Sequence, residues 1–294
     1  MMTENTKVTA PAYLIEKSKL IEDYLLEYLP SPDVYPHVLH EAIRYSVMAG
    51  GKRLRPVLAL AAYEACDGDG QEIYKAAVAL ELVHTYSLIH DDLPCMDDDD
   101  LRRGRPTLHK KYGEAIALLA GDALHDFAFR LMAETGRADV VLELAKAIGT
   151  GGMLGGQMAD MEAEGRNINL KDVGYIHNHK TGKLIRSAVR IGSILANSND
   201  KNLQAITLYG EKIGLAFQII DDILDIEGDT NLLGKPIGSD SKNKKATYPS
   251  VIGLSKSHEI AGQLIEEAIN AVESVLPKCD NFINIARFIG GRRY

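Results

Sequence analysis

The sequence has few of the features that mark secreted or membrane-spanning chains. It has three cysteines among 294 residues, Cys66, Cys95 and Cys279. An odd, sparse count gives no disulfide framework and suits a reducing compartment. No apolar run approaches the roughly 18 residues of a membrane span, and the N-terminal stretch "MMTENTKVTAPAY" lacks the apolar core of a signal peptide. We therefore expect a cytoplasmic protein without a membrane span.

Positive charge and aromatic residues are also scarce. The formal net charge is −8, tryptophan is absent and aromatic residues make up 6% of the chain. Its basic residues are scattered and are not interleaved with aromatic residues, so we expect no nucleic-acid partner. A small anionic substrate is compatible with this balance if cations are gathered locally.

No clear run of alternating β-branched residues with a hairpin turn is present, and apolar residues instead recur at spacings of three and four. This helical pattern covers residues 13–29, 39–50, 74–90, 113–134, 203–229 and 261–276. These segments are too apolar for surface helices, so we expect an all-α fold, a large helical bundle with a buried interior. No linker divides the chain, so we expect one domain over 1–294, with 1–10 as a flexible N-terminus.

One aspartate cluster lies in the helical pattern "FQIIDDILD". Asp221 and Asp225 are four residues apart, so they share a helix face, and Gln218 lies on that face too. Like charges at this spacing repel, and unpaired carboxylates among apolar residues are costly. A bridging cation would offset that cost, and oxygen ligands favour Mg²⁺, which takes a few carboxylates plus substrate phosphates. The alternative is an exposed acidic helix end, because DDxxD is a short pattern.

The other cluster is "IHDDLPCMDDDDLRRGRPT". In a straight helix Asp91 and Asp97 would point about 120° apart. Pro94 cannot continue a regular helix, so the helix should end near Asp92, and a bulge there could turn Asp97 back towards Asp91. We expect residues 98–100 beyond the bend, solvated or paired with the arginines.

Two aspartate clusters that each end an apolar helix are a stronger signal together than either is alone. If the two helices face each other, their carboxylates line one cavity mouth from opposite sides. That arrangement is typical of a polymetal clamp on a diphosphate.

Cations occur in the blocks "GGKRLRP", "LRRGRPT", "HKTGKL" and "GKPIGSDSKNKKATYP". Glycine lets backbone approach an anion closely, arginine contacts phosphate in a bidentate way, and lysine acts as a point charge. His84 lies two helical turns before Asp91, where it either donates a hydrogen bond to an anion or is a core histidine with its hydrogen bonds satisfied within the protein. For the basic blocks the alternatives are solvated loops and charge-balancing salt bridges.

In this order, "GGKRLRP", "DDLPCMDDDDLRRGRPT", "FQIIDDILD" and "GKPIGSDSKNKKATYP" resemble the motifs of the short-chain trans-isoprenyl diphosphate synthases, over residues 45–249. No motif position departs from that family. The resemblance implies an all-α bundle around a deep central cavity (isoprenoid synthase type), usually a homodimer. It also implies a prenyltransferase, in which an allylic diphosphate ionises with Mg²⁺ and forms a C–C bond with isopentenyl diphosphate. The released diphosphate is the expected base.

The resemblance further implies a role for each motif position. Three Mg²⁺ ions per site, which Mn²⁺ can replace, would be held by Asp91, Asp92, Asp97, Asp221, Asp222 and Asp225. The allylic diphosphate would contact Arg102, Lys180, Lys235 and Lys245, with Thr181 and Gln218 near the developing carbocation. Isopentenyl diphosphate would contact Lys52, Arg55, His84 and Arg103. The catalytic set would be Asp91, Asp92, Asp97, Asp221, Lys180, Thr181 and Gln218.

Tyr86, five residues before Asp91, bears on product length. A residue at this place in the family helps form the floor of the tail cavity, and a tyrosine with the inserted "PC" resembles bacterial-type farnesyl diphosphate synthases. The expected product is therefore C15 farnesyl diphosphate, made from dimethylallyl and then geranyl diphosphate. Ser87 lies more squarely beneath Asp91 than Tyr86 does, and Tyr86 could also be an ordinary aromatic residue of the core. A C20 geranylgeranyl product is the alternative to C15.

Three other classes fit less well. A His-Asp phosphohydrolase is suggested by His90-Asp91 and His125-Asp126, but such sites rest on several histidine ligands. Terpene cyclases are not expected to carry the "GGKRLRP" block for a second diphosphate. A non-catalytic subunit of a heteromeric synthase typically loses an aspartate motif, and this chain keeps both. The C-terminal "GGRRY" matches no diagnostic pattern.

Overall fold

A computed structural model describes residues 10–166, 168–227 and 247–292, and within these ranges the chain forms fourteen α-helices, one π-helical turn and one two-stranded hairpin. The first half contains α1 (Ala12–Tyr28), α2 (His37–Val47), α3 (Leu54–Ala65), α4 (Glu72–Asp91), β1 (Leu101–Arg102), β2 (Arg105–Pro106), α5 (Leu108–Tyr112) and α6 (Glu114–Ala133). The second half contains α7 (Ala138–Ile148), α8 (Met153–Ala163), α9 (Leu170–His177), the π-helical turn (Asn178–Gly182), α10 (Lys183–Leu195), α11 (Asp200–Glu227), α12 (Tyr248–Ile252), α13 (Leu254–Glu273) and α14 (Asp280–Gly290).

The prediction of an all-α fold is confirmed. Each of the six segments with helical spacing overlaps a helix: α1, α2, α4, α6, α11 and α13. Sequence spacing alone did not separate the shorter helices, such as α5 and α12, from the loops around them. In the described ranges, no helix combines the length and apolar character needed to cross a bilayer.

The core has two apolar clusters that share three helices, α1, α3 and α10. One cluster is built mainly on α4 and α6, and the other on α11, α13 and α14. Helices α3 and α10 pack against each other and contribute side chains to both clusters. Helix α4 is buried on most sides, so it is a rigid support for the aspartates at its C-terminal end.

A short two-stranded hairpin interrupts the helices between α4 and α5. Strands β1 and β2 pair antiparallel, with Arg102 opposite Arg105. The two residues between them, Arg103 and Gly104, have φ of 55° and 72°, as a tight two-residue hairpin turn requires. This turn fixes the backbone of the arginines that follow the first aspartate cluster.

Some predicted features lie outside the described residues. They include the proposed diphosphate contacts Lys235 and Lys245, and nine of the ten residues expected to form the N-terminal segment. The one-domain organisation stays a prediction.

Candidate active site

The first aspartate cluster folds back on itself as predicted. Helix α4 ends at Asp91, with Asp92 as its C-cap residue. The backbone N–H of Asp97 donates to the carbonyl oxygen of Asp91 over 2.8 Å, and the N–H groups of Met96 and Asp98 donate to Leu93. The turn required by Pro94 therefore brings Asp97 next to Asp91, although the two are six residues apart.

Asp91 lies in an environment that disfavours its charge. Burial raises the pKa of its carboxyl to about 6, the nearby charge of Lys180 opposes this shift, and the charge of Asp97 adds to it. A carboxylate with this pKa is one that a cation would stabilise. This is the condition expected of a metal ligand before the metal binds.

Asp92 points to a different partner. Its Oδ1 accepts from Arg102 Nε over 3.0 Å and, more closely still, from Arg102 Nη2. Arg102 also donates to Asp99 over 2.9 Å. The predicted pairing of the downstream aspartates with arginine thus holds for Asp99. Asp98 and Asp100 lie near Lys110 instead, at 3.6 and 2.8 Å.

In the second cluster the three aspartates have three different environments. Asp221 is partly exposed and pairs with Arg292 over 2.9 Å. Asp222 is 3% exposed and accepts from the N–H of Tyr248 over 3.0 Å and from Gln218 Nε2 over 3.3 Å. Asp225 is also buried. The carboxylate of Asp222 therefore ties α11 to the start of α12.

His177, at the end of α9, reinforces this tie. Its Nε2 lies 3.4 Å from Asp222 Oδ2, and its ring stacks on Tyr248 at a centroid distance of 5.3 Å. Burial lowers the pKa of His177 to about 4, so the imidazole is neutral near pH 7. The contact holds Asp222 without adding a positive charge.

The π-helical turn places Lys180 and Thr181 between the two clusters. Thr181 Oγ1 donates to Gln218 Oε1 over 2.8 Å, and Lys180 Nζ donates to Asp160 Oδ2 on α8 over 2.6 Å. The turn packs closely on its neighbour, since a Cβ on Gly156 would lie 2.1 Å from the Lys180 nitrogen. The charge of Lys180 therefore acts on Asp91 at the end of α4, while Thr181 contacts Gln218 on α11.

The cations of "GGKRLRP" have two different environments: Arg53 connects helices, whereas Arg55 has a donor without a partner among the described residues. Arg53 is buried, donates to Glu81 over 2.7 Å and to the Val47 carbonyl over 2.8 Å, and so joins α3 to α4 and α2. Burial lowers the pKa of Arg55 to about 10. The Nε of Arg55 is buried without a partner among the described residues. An unpaired buried donor of this kind suits an incoming anion.

His84 and Arg103 lie close to this cationic group. Burial, followed by the charges of Arg55 and Arg103, lowers the pKa of His84 well below its usual range, so the imidazole is neutral. Arg103 Nη1 donates to the Gly50 carbonyl. Three of the four predicted isopentenyl diphosphate contacts, Arg55, His84 and Arg103, thus lie close enough for their charges to affect one another, with His84 as a neutral group.

Tyr86 is buried beneath the first cluster, 5% exposed. Its ring makes edge contacts with His90 at 5.7 Å and with His125 of α6 at 5.2 Å between centroids. Ser87 donates to the carbonyl of His84 over 2.9 Å. Tyr86 is thus packed between α4 and α6, and the role of Tyr86 or Ser87 as the floor of the tail cavity stays a prediction.

A cavity of about 430 Å³, open to solvent, lies on the neighbouring face of α4. Its walls come from the end of α2, from α4 and from the hairpin: Tyr45, Ser46, Ala49, Thr85, Leu88, Ile89, Asp92, Arg102, Arg103, Arg105, Pro106, Thr107 and Leu108. It shares Asp92, Arg102 and Arg103 with the site described above.

The donor set suits a hard divalent cation. In the described ranges, no three His, Cys, Asp or Glu side chains are grouped closely enough to hold a metal by themselves. Mg²⁺ does not need such a group, because it usually binds one or two carboxylates and completes its shell with water and substrate phosphates. The oxygen-only clusters and the raised pKa of Asp91 fit that mode of binding.

A helical bundle with two aspartate clusters beside a group of cations defines an enzyme of the prenyl transferase class. The chain belongs to the Polyprenyl synthetase family, which it matches over residues 36–283. It is 44% identical to the farnesyl diphosphate synthase of Geobacillus stearothermophilus over 270 residues, which cover 89% of this chain and 91% of that one. It is also 44% identical to the geranylgeranyl diphosphate synthase of Cyanophora paradoxa over 288 residues, 95% of each chain.

A solved structure agrees with these relationships. The geranyltransferase of Helicobacter pylori, complexed with magnesium and isoprenyl diphosphate, matches with a TM-score of 0.82 and 32% identity, covering 98% of both chains. The likeness extends over nearly the whole chain, so the fold and the family do not rest on the motifs alone.

Sequence reasoning missed three residues that hold this site together. Asp160 follows the glycines of "GGQMAD", but the spacing does not reveal that it pairs with Lys180. His177 lies three residues before Lys180 and carries no signal of its contact with Asp222. Arg292 is in the C-terminal stretch that matched no pattern, and its contact with Asp221 joins residues 71 apart in sequence.

Proposed function

We propose that the protein condenses isopentenyl diphosphate first with dimethylallyl and then with geranyl diphosphate, and releases farnesyl diphosphate. One observation carries this proposal: the π-helical turn connects both aspartate clusters, through the effect of Lys180 on Asp91 and the hydrogen bond of Thr181 to Gln218. A diphosphate bound at this turn would have carboxylate-bearing walls on both sides.

The proposed metal ligands are Asp91, Asp92 and Asp97 on one side and Asp221, Asp222 and Asp225 on the other. When bound, three Mg²⁺ ions, or Mn²⁺ in their place, would neutralise the charge that develops on the diphosphate as it leaves. Asp91, beside the charge of Lys180, is well placed for this role, whereas Asp221 would have to exchange Arg292 for a metal ion. Asp92 and Asp222 accept hydrogen bonds from protein groups, so they would have to share their oxygens or act by orienting their neighbours.

The allylic diphosphate would be gripped by cations that already lie beside the first cluster. Arg102 offers a planar guanidinium and Lys180 a point charge. Both are paired with carboxylates, Arg102 with Asp92 and Lys180 with Asp160, which fixes their positions before the substrate arrives. Lys235 and Lys245 belong to the same proposal and lie outside the described residues.

The carbocation side would be lined by neutral oxygens. Thr181 donates its hydroxyl hydrogen to Gln218 Oε1, so the hydroxyl oxygen keeps its lone pairs for a positive charge. Neutral dipoles stabilise a cation without capturing it, whereas a carboxylate at that place could form a bond to it.

The diphosphate of isopentenyl diphosphate would bind Lys52, Arg55, Arg103 and neutral His84. Burial lowers the pKa values of Lys52, Arg103 and Arg55. The negative charges near these cations therefore do not offset the effect of burial on their pKa values. A diphosphate would supply the missing charge. The deprotonating base is proposed to be the released diphosphate, and no side chain is assigned to that step.

Product length is proposed to be set by Tyr86. The ring is clamped between His90 and His125, so it cannot swing aside without disturbing α6. A chain that has grown to C15 would meet this ring. A C20 product is the second candidate, because relatives with either product are equally similar to this chain.

We further propose a cytoplasmic homodimer built from one domain per chain. Leu118 and Leu119 are 47% and 57% exposed on α6, and an apolar surface of this kind suits contact with a second copy. Sedimentation equilibrium checks this, and a monomer at micromolar concentration would exclude it.

The decisive experiment uses radiolabelled isopentenyl diphosphate with dimethylallyl, geranyl or farnesyl diphosphate and Mg²⁺. The products are dephosphorylated and separated by chromatography. We expect C15 alcohol from the first two primers and little elongation of the third. Efficient conversion of the third to C20 would assign the alternative product, and absence of incorporation with every primer would overturn the proposed function.

A further inference from the structure

The C-terminal tail returns to the second aspartate cluster. Helix α14 ends at Gly290, and Arg292 lies two residues beyond it. Arg292 Nη2 is 2.9 Å from Asp221 Oδ1 and 3.3 Å from the Phe217 carbonyl, and the guanidinium lies 4.1 Å from the centroid of the Phe217 ring. The tail is thus joined to α11 through one side chain.

This side chain is unusually enclosed for a residue at a chain end. It is 6% exposed, whereas its carboxylate partner is 39% exposed. Its Nε is buried without a partner among the described residues. Among the described residues, the carboxylate that pairs with Arg292 is that of Asp221.

Other cations share the same carboxylate. Burial and then the charge of Arg292 lower the pKa of Lys52, and Asp221 opposes that shift. Asp221 also opposes the lowering of the pKa of Arg55 by burial. The charge of Asp221 therefore acts on three cations, and Arg292 is the one seen in direct contact with it among the described residues.

We propose that Arg292 is a displaceable counter-ion of Asp221, which neutralises this carboxylate until a divalent cation takes its place. The inference rests on the proposed function, in which Asp221 is a metal ligand. Oδ1 already accepts from the guanidinium, and a metal at the same oxygen would bring two positive groups together. The arginine would then be enclosed without a counter-charge, which is unfavourable.

Displacement of Arg292 is mechanically simple. Arg292 follows α14, and among the described residues its guanidinium contacts Asp221 and Phe217. Moving it towards solvent or towards a bound anion does not require any helix to unfold. Release of the tail and uptake of metal are therefore coupled, and each makes the other easier.

The test measures Mn²⁺ binding without substrate, by the electron paramagnetic resonance signal of free Mn²⁺. The variants are wild type, Arg292→Gln, Arg292→Lys and, as a matched control, Arg287→Gln, which changes an exposed arginine of α14. We expect Arg292→Gln to bind Mn²⁺ about three- to tenfold more tightly, because the competing cation is gone. Arg292→Lys keeps the positive charge but loses the planar guanidinium, so its affinity for Mn²⁺ should lie between those of Arg292→Gln and wild type. Arg287→Gln should match wild type.

Asp221→Asn separates this inference from the proposed function. We expect it to weaken Mn²⁺ binding, and Arg292→Gln should give no further gain when combined with it. If Asp221→Asn weakens binding but neither Arg292 variant tightens it, the counter-ion role is wrong and the metal site stands. If Asp221→Asn has no effect, both the metal role of Asp221 and this inference fail. Absence of Mn²⁺ binding even in Arg292→Gln would also overturn the inference, because that variant should uncover the site.

Discussion

Lys180 and Asp160 form an ion pair of 2.6 Å between the π-helical turn and α8. Lys180 is proposed to bind the allylic diphosphate. Asp160 holds the ammonium group of Lys180, and the charge of this ammonium group lowers the pKa of Asp91. Asp160 is then a positioning residue, because it reaches the substrate only through Lys180. The pair also fixes the distance between α8 and the turn, where Gly156 allows close approach.

Asp160→Asn should loosen this grip selectively. We expect KM for the allylic diphosphate to rise about tenfold, as for loss of one charge-assisted hydrogen bond, with KM for isopentenyl diphosphate nearly unchanged. Steady-state kinetics with each substrate varied in turn measure both values. Asp160→Glu, which restores the carboxylate, should recover part of the loss. Equal increases for both substrates would show that Asp160 supports the fold rather than Lys180.

The raised pKa of Asp91 predicts how stability depends on pH in metal-free protein. The folded state holds the proton up to about pH 6, while the unfolded chain releases it near its ordinary value of about 4. Between these values the folded state binds more protons, so the free energy of unfolding falls as pH rises. Asp91→Asn removes this loss and should be more stable than wild type by roughly 1–2 kcal/mol at pH 7, after allowance for solvent screening.

Urea unfolding of both proteins at pH 4.5 and pH 7, in EDTA, measures this difference. Asp98→Asn is the matched control, since it removes the same charge at a largely exposed position. Parallel pH profiles for wild type and Asp91→Asn would contradict the assigned environment of Asp91.

Local chemistry made much of the first cluster predictable. Pro94 ends α4, because proline cannot donate the next helical hydrogen bond, and the turn then returns Asp97 to Asp91. The exposure of residues 98–100 followed from the same argument. Helical spacing in turn identified α11 and the shared face of Asp221 and Asp225.

Contacts between residues distant in sequence were not predictable. Nothing in the spacing of "HNHKTGK" distinguishes a π-helical turn from an α-helix, since the difference is one residue in the hydrogen-bond register. The environments of Asp92 and Asp222 depend on Arg102 and Tyr248, which come from a hairpin and a separate helix. A motif shows which side chains are present, whereas the folded chain decides which of their oxygens are already used.

The metal mechanism predicts a sharp contrast between neighbouring aspartates. Asp91→Ala and Asp221→Ala should each lower kcat/KM by several orders of magnitude, because each removes a proposed ligand of the Mg²⁺ ions whose positive charge the departing diphosphate needs. Asp98→Ala should keep most of the activity, since that side chain lies beyond the turn near Lys110. Incorporation of labelled isopentenyl diphosphate measures all three variants. Wild-type activity should disappear in excess EDTA and return with Mg²⁺, and full turnover in EDTA would refute the mechanism.

Tyr86 is proposed to decide between the two product lengths. Its buried ring is held by His90 and His125. Tyr86→Ala removes the ring and opens a space that a further C5 unit can enter, so the main product should shift from C15 to C20 or longer. Ser87→Ala is the control, because its hydroxyl bonds to the His84 carbonyl and removes little volume when truncated. Chromatography of the dephosphorylated products reads the result. An unchanged C15 product in Tyr86→Ala, with activity retained, would mean that another residue forms the floor.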